Sequence, residues 1–234
     1  MENWKNRTVL LIGEKAQKKL SDSTVAVIGL GGVGGMCAEA LCRTGVGGLI
    51  LCDYDTVDET NLNRQIFTTR EWIGKLKTDA ALSRIKAINP DCNVKIINKP
   101  YNLGTRELLF NTKPNYVADA IDMVTSKLDL IKSCKEHDVP VISCMGAGNR
   151  LDPTAFCVAD IFQTKGCGLA RTIRRELRKS GVADLKVVHS TELAKKIITG
   201  KENGRHPPAS IMFCPNSAGL IMASEIINDL IIQK

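Results

Sequence analysis

Residues 24–35, TVAVIGLGGVGG, constrain the chain more than any other segment. Five apolar and β-favouring residues predict a strand over Thr24–Ile28. The glycines that follow predict a tight turn, and the pattern resumes as a helix from about Val33 to Arg43. Gly29, Gly31, Gly32 and Gly34 let the backbone turn sharply and bring its N–H groups against a phosphate at the helix N-terminus. The next strand, GLILCD, ends on Asp53, where a carboxylate can accept hydrogen bonds from ribose hydroxyls. Either half of this pattern could serve packing alone. Together they predict a nucleotide site.

The rest of the first two-thirds alternates in the same way. LKTDAALSRIKAI places Leu76, Ala80, Ala81, Ile85 and Ile88 near helical period and stops at Asn89-Pro90. Short strands are expected at Val94–Ile97 and Tyr116–Ala118, then a helix over Thr125–Glu136 and a strand over Val139–Cys144. Phe156–Ile161 and Leu185–Val188 read as further strands around a helix at Leu169–Lys179. Gly219–Ile231 reads as a closing helix, and Lys195–Pro208 as a loop. The expected fold is α/β: a Rossmann-like, doubly wound, mostly parallel sheet with flanking helices and an irregular C-terminal portion. With no repeat and no linker, residues 1–234 read as a single domain.

Composition narrows the class. No apolar run is long enough to span a bilayer, and MENWKNR lacks the apolar core of a secretory signal. The expectation is a cytoplasmic protein with no membrane partner. Nine cysteines contain no CxxC pair; Cys37, Cys42, Cys52, Cys144 and Cys157 lie in apolar runs and read as small buried hydrophobes. Of the net charge of +7, nearly all falls between Arg150 and Ser210, where twelve Lys and Arg face six Asp and Glu. Such an excess suits an anionic macromolecule, or simply a solubilising surface.

The segments after Asp53 favour ATP over NAD. Asp53-Tyr54-Asp55 leads into Asn61-Leu62-Asn63-Arg64-Gln65 and then Gly74-Lys75-Leu76-Lys77. Hydride transfer needs no cationic cluster at the phosphates. Adenylyl transfer does, because charge builds on the phosphate oxygens and the leaving pyrophosphate. Arg64 and Lys77 read as clamps for those oxygens, or singly as surface charges.

GxGGxG, then DxD, then NLNRQ, then GxxK resembles the adenylating superfamily of ubiquitin-activating enzymes and the bacterial ThiF and MoeB proteins. Within it the chain is most similar to the tRNA threonylcarbamoyladenosine dehydratase family. That likeness runs through Arg7-Thr8, Asp119-Ala120-Ile121-Asp122, Met145-Gly146-Ala147-Gly148-Asn149, Leu151-Asp152-Pro153-Thr154 and Leu169-Ala170-Arg171. The resemblance implies that Gly29, Gly31, Gly32 and Gly34 hold the phosphates and Asp53 the ribose. Asn61, Arg64 and Lys77 would contact the triphosphate, and Asp122 would position Mg²⁺; the plainer reading of Asp122 is a helix cap before Met123. It implies that Arg7 reaches into a partner's site in a symmetric homodimer. A monovalent cation, Na⁺ or K⁺, is implied without ligands that can be placed, and a cysteine desulfurase or sulfur-acceptor partner stays open. The missing CxxC zinc pairs depart from ThiF and MoeB and agree with a family that acts on RNA.

The activity so implied is ATP-dependent dehydration and cyclisation of N6-threonylcarbamoyladenosine at tRNA position 37, through adenylylation of the substrate carboxylate. Activation of a ubiquitin-like or sulfur-carrier protein C-terminus is the alternative; an NAD(H) dehydrogenase and a non-catalytic tRNA-binding protein fit the motifs less well. Cys167 and Cys214, in glycine- and proline-bearing turns, are minor candidates for a covalent role, as are His137, His189 and His206 for proton transfer. In GLARTIRRELRK, Leu169, Ile173 and Leu177 mark a buried face, leaving Arg171, Arg174, Arg175 and Arg178 in other directions, some toward RNA phosphates.

Overall fold

The apolar runs of the sequence become seven strands of one sheet: β1 (Thr24–Ile28), β2 (Gly48–Cys52), β3 (Asn93–Ile97), β4 (Tyr116–Asp119), β5 (Val141–Cys144), β6 (Phe156–Asp160) and β7 (Lys186–Ser190). Their order is β3-β2-β1-β4-β5-β7-β6. Every pairing is parallel except β6 with β7, which run antiparallel at the far edge. The computed structural model describes residues 4–197 and 208–232.

Eight α-helices and four single 3-10 turns complete the described chain; the α-helices are α1 (Asn6–Ile12), α2 (Glu14–Ser21), α3 (Gly32–Thr44), α4 (Lys77–Ile88), α5 (Arg106–Phe110), α6 (Val124–Glu136), α7 (Gly168–Lys179) and α8 (Phe213–Ile232). Side chains of a strand alternate between faces, and β1 shows the consequence. Val25 and Val27 join a core shared with α2, α3, α4 and α8, while Ala26 and Ile28 join the opposite core with α5, α6 and α7. Helices thus cover both faces, as a central parallel sheet requires.

From β1 the chain runs outward to β2 and β3, then returns to lay β4 on β1's other side. That reversal leaves a crevice above the C-terminal ends of β1 and β4, the place where open α/β sheets bind ligands. α3 opens beneath the crevice and is held from two sides. Gly219 lets α8 approach so closely that a Cβ there would overlap the Val33 carbonyl. Glu39 of α3 accepts bonds from Arg84 Nε (3.0 Å) and Nη2 (3.0 Å) of α4 and from Arg43 Nε (2.8 Å).

Three expectations need correction. α8 begins at Phe213, six residues before the expected Gly219, because Pro215 sits in the first turn, where a helix tolerates the missing N–H. Cys167 and Cys214 are buried despite their turn-like sequences, whereas Cys157 is only partly buried and faces His189. The inward face of α7 is Ala170, Ile173 and Leu177, with Leu169 only partly covered. α1, α2 and α5 are helices that the sequence pattern does not announce. Among the described residues, no helix is long and apolar enough to cross a membrane. His206 and most of the expected 195–208 loop lie outside the described residues.

Candidate active site

The crevice is a cavity of about 980 Å³ lined by residues from both halves of the sheet. Gly29, Gly31, Gly32, Asp53, Asn61, Arg64, Lys77 and Asp122 are among its lining residues. Gly34 does not line it but makes it possible. A Cβ on Gly34 would collide with the Gly29 carbonyl, and Gly29, at φ 90°, has the Ala120 oxygen 2.8 Å from where its own Cβ would be. Both positions need glycine. Gly31 caps α3 with no neighbour within 4 Å of a built Cβ, so the helix N-terminus is open to an anion.

Asp53 is buried, and backbone donors fix both its oxygens. Leu30 N–H donates to Oδ2 (2.6 Å), and Asp55 N–H donates to Oδ1 (2.9 Å). The carboxylate therefore joins the β1 turn to the β2 turn, and each oxygen keeps a lone pair for a hydroxyl. Lys77 opens α4 with Nζ 2.7 Å from Asp55 Oδ2. The ammonium is buried while its partner is half exposed, so the pair leaves the ammonium held by a partly hydrated carboxylate.

Asn61 ends a single helical turn started by Asp58, whose carboxylate accepts from Thr60 N–H (2.8 Å) while Asp58 N–H donates to Asn61 Oδ1 (3.2 Å). This reciprocal cap sets the direction of the loop carrying Arg64. The Arg64 Nη1 donates to the Thr60 carbonyl (2.7 Å) and to Asn63 Oδ1 (2.8 Å). Among the described residues it has no carboxylate partner, and burial pulls its pKa below the ordinary arginine value. A half-buried guanidinium bonded only to neutral oxygens keeps its charge available to an anion.

Asp122 is exposed at the rim, on the loop between β4 and α6. It is not a helix cap: Met123 holds the N-cap position, and no side chain caps α6. Tyr54, facing the same opening, has its phenol pKa raised by burial and by the charges of Asp55, Asp122 and Asp53. Arg7 lies outside the cavity of its own chain, exposed on α1, a helix with no buried residue.

Several contributors were not singled out from the sequence. Lys127 and Asp119 form an ion pair of 2.7 Å with neither side chain exposed. Lys127 Nζ also donates to Ser143 Oγ (3.0 Å) and the Cys144 carbonyl (3.0 Å), and Ser143 Oγ donates to Asp119 Oδ2 (2.6 Å). Asp119 Oδ1 then accepts from Ile121 N–H (3.1 Å), fixing the start of the loop that bears Asp122. A lysine in a helix reads as solvated, so only the tertiary fold reveals this one. Lys99, Pro100, Tyr101 and Asn102, beyond β3, line the cavity on the side past Asp53. Burial raises the pKa of Cys144 to about 12 and raises that of Cys214, leaving both as thiols at neutral pH.

Residues 5–231 match the ThiF family. The tRNA threonylcarbamoyladenosine dehydratase of Bacillus subtilis (strain 168) is 40% identical over 238 residues, which cover 97% of this chain and 94% of that protein. Crystal structures of the E. coli tRNA N6-threonylcarbamoyladenosine dehydratase, TcdA, in complex with ATP and with AMP each match at a TM-score of 0.88 and 32% identity. Each covers 96% of this chain and 92% of the other.

Proposed function

The chain belongs to the ThiF family and, within it, to the tRNA threonylcarbamoyladenosine dehydratases; on that premise we propose how its residues divide the work of an ATP-dependent dehydration of that nucleoside in tRNA. One observation carries the assignment. A single cavity gathers an open helix N-terminus, a ribose-competent carboxylate, two cations and a rim carboxylate.

ATP lies with its phosphates at Gly31 and Gly32, its ribose on Asp53 and its base toward Lys99–Asn102. A free carboxylate is a poor electrophile, so the threonylcarbamoyl carboxylate first attacks the α-phosphorus and pyrophosphate leaves. Arg64 and Lys77, with Asn61 beside them, stabilise the charge that gathers on the oxygens. A nucleophile of the same substrate group then attacks the acyl carbon, and AMP departs with the former carboxylate oxygen. The nucleoside thereby loses the elements of one water, its oxygen leaving in AMP and the nucleophile's proton being released. Proximity within one substrate drives closure, so no enzyme nucleophile is required, in keeping with the burial that raises the Cys214 thiol pKa.

Among the described residues, no cluster of three or more His, Cys, Asp or Glu could hold a metal ion. Mg²⁺ needs only one or two carboxylates when phosphates supply the remaining ligands, and Asp122 fits that part. A Mg²⁺ held there by Asp122 and the phosphates would supply neutralisation of phosphate charge. A monovalent cation follows from family resemblance alone, with no residue here assigned to it.

The functional unit is a symmetric homodimer in which Arg7 completes the partner's site. Supporting this, α1 displays Arg7 beside Leu10 and Leu11, both more than four-fifths exposed. The tRNA meets the outward arginines Arg171, Arg175 and Arg178 of α7; Arg174 instead donates to the Thr164 carbonyl (2.8 Å). Nine unpaired cysteines and an RNA substrate suit the cytoplasm, and residues 1–234 act as one domain. The test is pyrophosphate release from ATP and Mg²⁺. Dependence on threonylcarbamoyl-modified tRNA supports the proposal; release driven instead by a ubiquitin-like protein tail overturns it.

A further inference from the structure

We infer that Asn216 is a positioning residue for Arg64, tying the phosphate-clamping loop to the first turn of α8. The inference rests on the role proposed above for Arg64. Asn216 is 5% exposed, and both protons of its amide are spent. Nδ2 donates to the Arg64 carbonyl (2.8 Å) and to the Met212 carbonyl (2.6 Å). The first bond crosses 152 residues of chain, and the second anchors the amide to its own helix turn.

A second tie runs parallel to it. Asn63 Nδ2 donates to the Ser210 carbonyl (3.0 Å), while Asn63 Oδ1 accepts from the Arg64 guanidinium (2.8 Å). The segment from Ser210 to Asn216 therefore holds Arg64 at both ends, its backbone through Asn216 and its guanidinium through Asn63. Between these ties, Pro215 packs where a Cβ on Gly32 would come within 3.0 Å, so the same turn borders the phosphate end of the cavity.

The geometry has a chemical reason. A cation that stabilises a transition state must be held before charge develops, because mobility wastes its electrostatic effect. Among the described residues Arg64 has no carboxylate to lock it, and neutral amides can hold it without quenching its charge. Asn216 does not line the cavity. It acts through Arg64, and its loss lowers turnover more than nucleotide affinity.

The experiment is a double-mutant cycle with Asn216→Ala, Arg64→Ala and the pair, measuring tRNA-dependent pyrophosphate release and ATP affinity in the full chain. Asn216→Ala is expected to lower turnover about 10-fold or more, since small misplacements of a catalytic group cost up to about 100-fold. ATP affinity changes much less. In the Arg64→Ala background the same substitution has little further effect, because the residue it positions is gone. Equal losses in both backgrounds would overturn the inference in favour of a merely structural amide. If Asn216→Ala does not fold, Asn216→Asp, near-isosteric but unable to donate, takes its place in the cycle. Full activity of Arg64→Ala would refute the proposed Arg64 role. A loss with Arg64→Ala but none with either Asn216 variant would refute the positioning alone.

Discussion

Replacing Lys127 with methionine tests the buried network beneath the active site. Met has nearly the length of Lys, so little cavity opens. The ammonium disappears and the Asp119 carboxylate, with 0% exposure, keeps only Ser143 Oγ and Ile121 N–H. Removing one partner of a buried pair costs about 3–5 kcal/mol, because the remaining charge is neither hydrated nor neutralised. For 234 residues each kcal/mol lowers Tm by about 2–4 °C, so the fall should be about 6–20 °C. Thermal and urea denaturation measure it. Adding Asp119→Asn should restore much of the loss, since no charge then remains buried. A Lys127→Met protein melting within about 2 °C of the parent would refute the reasoning, as would a double variant no more stable than the single.

Arg64→Ala should reduce tRNA-dependent pyrophosphate release by about 100-fold or more, with a smaller change in ATP affinity, as read by initial rates and equilibrium binding. Gly34→Ala forces a Cβ onto the Gly29 carbonyl, so it should abolish ATP binding or the fold itself, which calorimetry and circular dichroism distinguish. Burial opposes ionisation of Glu39, but the bonds from Arg84 and Arg43 prevail and hold its pKa below the ordinary 4.5. Its contribution is therefore complete above 4.5 and lost as pH falls through the lower folded value. Glu39→Gln should accordingly be less stable than the parent at neutral pH, with the gap closing in acid by urea denaturation. Reversing the charge of Arg171, Arg175 and Arg178 should weaken tRNA binding and flatten its salt dependence by about 0.7–0.9 log units for each phosphate no longer neutralised.

The glycine turn and Asp53, the part of the cavity proposed to hold the nucleotide, are legible in the sequence because local chemistry dictates their geometry. Gly29 and Gly34 occupy positions no other residue can, and Asp53 directly follows a strand whose neighbour carries the turn. Those constraints operate within a few residues and leave a mark in the sequence. Lys127 and Asn216 leave none, since their roles depend on partners brought from other elements by the fold. Pro215 actively misleads, because proline at a helix start and proline breaking a helix look alike in a single sequence. Cys167 does lie in a turn, as the N-cap of α7, while Cys214 lies in the first turn of α8, yet both are buried. Glycine and proline nearby report local backbone shape, whereas packing against the two cores decides burial.

The most direct test incubates the purified protein with ATP, Mg²⁺ and tRNA carrying threonylcarbamoyladenosine, then resolves the digested nucleosides by mass spectrometry. A loss of one water from the modified nucleoside, dependent on ATP and absent with Arg64→Ala, is the predicted result. An unchanged nucleoside, with folded ATP-binding protein and confirmed modification of the tRNA, would contradict the account.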